Sequence, residues 1–169
     1  MKLKTNYLFV ILILFIFCSC KKDKSSDTLI TITGITETDE VANNIGNVDT
    51  TDWKFIDTWS IYEENLFRKS ITSSKATERT RPNSSVVVIG YPNPAKTFIF
   101  FAFQLDSSMY FDTRIVDNNL KIKFQRDSIN GGITMDNSIF SNNELYRIYY
   151  KIYSNGKVYR GHGDFIFLK

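Results

Sequence analysis

The sequence predicts a mainly β protein: an antiparallel β-sandwich of immunoglobulin-like architecture, with seven or eight strands and one short N-terminal helix. Three observations predict it. Between Val86 and Lys169, short runs rich in β-branched and aromatic residues recur, several of them with the alternation of a half-buried strand. Turn signals at Asp117-Asn118-Asn119, Asn130-Gly131-Gly132 and Asn155-Gly156 separate these runs at near-regular spacing. A helix-start signature stands ahead of them, at Ser60 to Glu63.

The chain opens on an address. Lys2 and Lys4 lead into an uncharged apolar run from Tyr7 to Cys18, closed by Ser19-Cys20-Lys21-Lys22. A membrane-spanning helix needs about 20 apolar residues, and this run has the length of a secretory signal. At Phe17-Cys18-Ser19-Cys20 it resembles a bacterial lipobox, in which a small residue precedes a cysteine that is acylated and becomes the mature N-terminus. Cys20 fits, with Ser19 before it; Cys18 follows the bulky Phe17 and does not. The resemblance implies lipidation of Cys20, loss of residues 1–19 and a membrane anchor, each buried methylene contributing roughly 0.8 kcal/mol. Lys21-Lys22-Asp23-Lys24 is similar to the charged tract after the cysteine in outer-membrane lipoproteins of the Bacteroidota. That implies the outer membrane and leaves its periplasmic and cell-surface leaflets open. An ordinary secretory signal with an incidental cysteine is the alternative.

Removing 19 of the 169 residues leaves 150, enough for one domain and a tether. The 21 basic and 18 acidic side chains become 19 and 18 once Lys2 and Lys4 leave, close to neutrality. With no basic helix and no ribonucleoprotein signature, nucleic acid is not an expected partner. Cys20 is the one cysteine left in the mature chain, which excludes an internal disulfide.

Residues 20–52 are rich in Thr, Asp, Asn, Ser and Gly without a sustained period, and are expected to be a flexible tether. The domain is expected over 53–169. Ser60 followed by Glu63 is a capping box and predicts a helix over about 60–68, with Trp59, Leu66 and Phe67 as its apolar face. Residues 70–85 are polar and are expected as a loop. Val86 to Ile89 forms a strand, and Tyr91-Pro92-Asn93-Pro94 an extended turn, since each proline lacks a donor and restricts its predecessor. Thr97 to Leu105 is apolar on both faces and is expected as a central strand covered on both sides. Phe111 to Ile115 and Leu120 to Phe124 alternate and are expected as half-exposed hairpin strands. A short strand over 133–135, a long one from Glu144 to Tyr153 and a hairpin closed by Asn155-Gly156 follow. Gly161-His162-Gly163 is expected to break or bulge the sheet before a last strand from Asp164 to Leu168.

From Tyr91-Pro92-Asn93-Pro94-Ala95 onward the chain also resembles the C-terminal sorting domain of the type IX secretion system, another small sandwich. The resemblance covers Tyr91 to Lys169 and implies the sandwich fold and a secretion-associated or structural module without its own ligand.

Chemistry is sparse. His162, the single histidine, has Asp164 two residues away, yet no nucleophile-elbow serine and no free cysteine accompany it. Zinc lacks its ligands, and Asp117-Asn118-Asn119 and Asp136-Asn137 suit turns better than calcium. Glu63 and Glu64, adjacent on a helix, point about 100 degrees apart, so one caps and the other is solvated. No cofactor or metal is expected, and the protein is not expected to be an enzyme. Trp53 and Trp59 are expected as packing anchors. In the long strand Tyr146, Ile148, Tyr150 and Ile152 are expected to face the core. Arg147, Tyr149, Lys151 and Tyr153 then face outward, extended across the hairpin by Tyr159 with Lys157 or Arg160. Tyrosines interleaved with cations compose a candidate contact face for a protein or glycan of the envelope, the alternative being ordinary solvated sheet surface.

Overall fold

The computed structural model describes residues 29–56, 58–68, 77–78, 86–105, 108–154 and 156–169. The expected signal, Cys20, the first part of the tether and Asn155 lie outside them. Nine strands and one α-helix follow in order: β1 (Lys54–Phe55), α1 (Ile61–Asn65), β2 (Thr77–Glu78), β3 (Val87–Tyr91), β4 (Phe98–Gln104), β5 (Tyr110–Val116), β6 (Ile122–Ile129), β7 (Ile133–Asp136), β8 (Leu145–Ser154) and β9 (Lys157–Ile166). The larger sheet runs β1-β9-β8-β5-β6, and the smaller β3-β4-β7. Neighbours along both paths are antiparallel. The two-residue β2, inside the expected polar loop, pairs with β9 in parallel.

The sheets face each other across one core. Val88, Ile99, Phe101, Phe103 and Met135 of the small sheet meet Phe111, Ile115, Tyr146, Ile148, Tyr150, Ile152 and Phe165 of the large one. Rings set the contact: Phe103 stacks on Phe111 with centroids 3.7 Å apart, and Phe101 meets Phe165 edge-on at 5.1 Å. Such pairs contribute about 0.5–1.5 kcal/mol each beyond their buried area. Tyr146, Ile148, Tyr150 and Ile152 of β8 all lie in this core, as their alternation predicts.

Four expectations are corrected. First, β4 is central in its sheet but covered on one face only. Ile99, Phe101 and Phe103 point inward, while Phe98 is 52% exposed and Phe100 half-buried. Second, β5 is not half-exposed: Phe111 to Val116 is buried throughout, because a further layer covers its outer face. Third, Gly161-His162-Gly163 neither breaks nor bulges β9, and pairs in register with Tyr150, Tyr149 and Ile148. The glycines answer close approach instead. A Cβ at Gly163 would stand 2.2 Å from the Trp53 ring, and one at Gly161 2.2 Å from the Lys54 carbonyl oxygen.

The fourth concerns the tether. Over 29–52 the chain is held against the sandwich at Ile30, Thr36, Thr38 and Asp52, which are buried, while Val41, Ile45 and Val48 stay exposed. Thr38 exchanges backbone hydrogen bonds with Asn93, and its hydroxyl donates to the Gly90 carbonyl at 3.0 Å. Asn93, fully buried, donates to the carbonyls of Thr36 and Asp164, both at 2.9 Å. A polar, aperiodic segment is held by satisfying backbone groups rather than by a sheet of its own.

α1 forms where the capping box predicts. The Glu63 N–H donates to the Ser60 hydroxyl at 3.3 Å and the Ser60 N–H to Glu63 Oε2 at 2.6 Å. The helix is short because its work is done by its flanks: Trp59 stacks on Phe67 at 5.3 Å and both are buried on the outer face of the large sheet.

Candidate functional site

That outer face is the most unusual part of the molecule. The register places Arg114 beside Tyr149 and His162, Lys151 beside Arg160, and Arg147 beside Asp164, so β5, β8 and β9 present one polar side. The face is covered. Trp59, Phe67 and Ile30 seal it, with Ile32, Ile56 and Leu66 packed around them. Charges under such a cover cost several kcal/mol each unless paired.

Pairs are what the structure supplies. Arg147 grips Asp164 bidentately, with two bonds of 2.6 Å. Burial works against the Arg147 charge, but the Asp164 carboxylate outweighs it and holds the guanidinium above its ordinary value. Glu64 takes Lys151 at 2.9 Å and also Arg160. Lys151 lies 5.3 Å from the Trp59 ring centroid and 5.2 Å from that of Phe67, within cation–π reach of both. Tyr149 donates its hydroxyl to Glu63 Oε1 at 2.6 Å. Burial, then this bond, pushes the Tyr149 phenol up; burial also opposes the Glu63 charge, yet hydrogen bonds from Tyr149 and Ser60 keep its carboxyl below the ordinary range. Arg114 donates to the Leu66 carbonyl and to Asp127, and lies over Phe67.

The expected contact face is therefore corrected. Arg147, Tyr149, Lys151 and Tyr153 do share the outer side of β8, but Arg147 is 9% exposed, Lys151 7%, Tyr153 3% and Tyr149 not at all. Tyr159 lies on the opposite side, in the core, opposite Ile152. Glu64, expected solvated, is the acceptor for two cations. Trp59 is the anchor the sequence predicts. Asp117 and Asp136 serve turns: Asp117 accepts from the N–H groups of Asn119 and Lys121, and Asp136 from that of Ser138.

At one edge of the layer three carboxylates converge. Asp49, Asp52 and Asp164 bring oxygens within 4.8 Å of one another. The set does not suit a cation. Both Asp164 oxygens engage Arg147, and the Asp52 oxygens accept the N–H groups of Thr36 and Asp164, each at 2.8 Å. Burial, then the neighbouring Asp164 charge, pushes the Asp52 carboxyl up to about 7. Burial raises Asp164 too, with Arg147 opposing. Asp49, by contrast, is held below the ordinary carboxyl range by the N–H and hydroxyl of Thr51. His162 is buried mid-strand beside Tyr149, and both its ring nitrogens lack a hydrogen-bond partner. Burial, then Arg147, lowers it to about 4, so it is neutral. Asp164 is committed to Arg147, so the His162–Asp164 dyad that the spacing allows is not formed.

Sequence reasoning missed Asp49, Asp52 and the role of Glu64, all of which act across long separations. Comparisons with protein-family models, with characterised proteins and with solved structures find no match for this chain.

Proposed function

We propose that this protein is a lipid-anchored component of the cell envelope, of the outer membrane, whose sandwich is a non-catalytic binding or interaction module. The anchor reading rests on the apolar run and Ser19-Cys20, with their resemblance to lipoproteins of the Bacteroidota. The binding reading rests on one observation: the outer side of the small sheet carries exposed and half-exposed apolar groups beside the exposed Gln104, Thr134 and Asp136. Val87 is 47% exposed and Phe98 52%, while Ile89, Tyr91, Phe100 and Ala102 beside them are half-buried. Tyr91 and Phe100 meet edge-on at 5.5 Å, and a shallow groove of Glu40, Pro92, Pro94, Lys96 and Thr97 borders Phe98. Aromatic and aliphatic groups with a polar margin suit a glycan face or a protein contact. The buried charges on the other side are spent on internal pairs and support the fold rather than chemistry.

The test uses the mature, lipidated chain in detergent. Binding to envelope glycans on an array, or to a defined envelope protein, that is lost in a Val87→Ser, Phe98→Ser variant supports the reading. Equal binding by the variant, or turnover of the bound glycan, overturns it. A structural or secretion-associated module, related to type IX sorting domains, is the second reading. Its support is the Tyr91-Pro92-Asn93-Pro94 turn, whose Asn93 ties the N-terminal segment to β9.

A further inference from the structure

Where the packed chain begins limits how an anchored protein can stand on its membrane. Ile30 donates its N–H to the Asn118 carbonyl, so Leu29 lies at the end of the sandwich that carries the β5–β6 turn. The pairing of Val116 with Ile122 and of Leu145 with Ile166 brings the starts of β6 and β8 and the finish of β9 to that same end. Ala95 and Ile166 bond there, the Ala95 N–H donating to the Ile166 carbonyl, and the Asn137 N–H donates to the nearby Thr97 carbonyl, which brings the stretch from Asn137 to Ile139 to the same end. The opposite end carries Val87, paired with Gln104, and Tyr110, paired with Tyr153.

From Cys20 to Leu29 there are nine residue steps. At no more than about 3.6 Å each they span at most roughly 32 Å. The ten residues of β8 are about 33 Å long at the usual strand rise. An upright sandwich standing on its far end would therefore need the tether at full stretch, whereas every shorter conformation holds Leu29, and with it the near end, closer to the surface that carries Cys20.

The near end also has suitable groups. Ile139 is 45% exposed, Ile122 39% and Leu29 49%, with Lys96 and Lys121 exposed around them. Asp136 and Glu144 are exposed there too, so the contact is carried by apolar groups and not by net charge. We propose that the end of the sandwich carrying Leu29, Ile122 and Ile139 rests on the phospholipid surface that holds the Cys20 anchor, with the β8–β9 hairpin pointing away. This rests on the anchor reading above, and adds to it an orientation.

The full lipidated chain is reconstituted into phosphatidylethanolamine and phosphatidylglycerol vesicles carrying a nitroxide on the headgroup. Single reporters are placed through Ile122→Cys, Ile139→Cys, Val87→Cys and Tyr110→Cys, the acylated Cys20 thiol being unreactive. Lys121→Cys replaces either near-end variant if it loses the wild-type melting temperature. Quenching at 122 and 139 several-fold stronger than at 87 and 110 is expected. Equal or reversed quenching on protein that is acylated and vesicle-bound overturns the orientation and leaves the anchor standing. An unmodified Cys20 by mass spectrometry, with protein that stays off the vesicles, overturns the anchor and the orientation together.

Discussion

The two sheets have outer faces of opposite character, and each is the reverse of what its residues suggest. On the large sheet the outer face is built from Arg, Lys, Asp, Tyr and His, and it is buried. On the small sheet it is built mainly from Val, Ile, Phe and Tyr, with Gln104, Thr134 and Asp136 at its margins, and it is exposed or half-exposed. The difference teaches that cover is decided by the rest of the chain and not by the polarity of the strand. Trp59 and Phe67 bring enough aromatic area to seal a charged surface, provided that cations find carboxylates and ring faces beneath them. No described segment is seen to do the same for β3-β4-β7.

The contrast is most sharply broken at Arg147. Arg147→Ala leaves the Asp164 carboxylate buried without its cation and should cost about 3–5 kcal/mol in denaturant unfolding. An Arg147→Met, Asp164→Leu double variant should recover most of that loss; if it is as damaged as the single variant, the pair is not the source of the cost.

Gly163→Ala comes next. The new methyl meets the Trp53 ring and should cost about 1–3 kcal/mol, as overpacking does. An unchanged urea midpoint would show that Trp53 moves aside freely.

Asp52, at the edge of the covered face, adds a pH dependence. The Asp52 carboxyl is raised in the folded state, so its contribution is fully present below the ordinary carboxyl pKa, near 4, and is lost as pH rises through about 7. The wild-type melting temperature should therefore fall by a few degrees between pH 6 and pH 8.5 at fixed ionic strength. Asp52→Asn is less stable throughout, since one of its two N–H acceptors becomes a donor, but its slope over that interval should be nearly flat. Equal slopes would place the titration elsewhere.

The smallest effect belongs to the open face. Phe98→Ser removes an exposed ring and should change stability by no more than about 0.5 kcal/mol. A loss as large as that of a core phenylalanine would mean that this face is covered after all.

Part of this contrast was legible in advance. The alternation of Tyr146, Ile148, Tyr150 and Ile152 is unambiguous, and those four side chains are in the core. Tyr159, expected outward, lies inward, although counting places it: a two-residue loop pairs Ser154 with Lys157, which sets Tyr159 opposite Ile152. Gly156 has φ of +73°, as the turn requires. The Asp49–Asp52–Asp164 trio was not legible, because its members come from a polar segment and a strand more than a hundred residues apart.

Local structure was written in the chain: strand periods, the capping box at Ser60 and Glu63, and the positive-φ glycine at the hairpin. These depend on neighbours one to four residues away, whose geometry is the same in any fold. Long-range packing set which faces are covered, that the segment 29–52 is pinned to the sandwich at Ile30, Thr36, Thr38 and Asp52, and that Gly161 and Gly163 make room for Lys54 and Trp53. Each of these depends on contacts between distant segments, where a charge is solvated or buried according to what happens to lie above it.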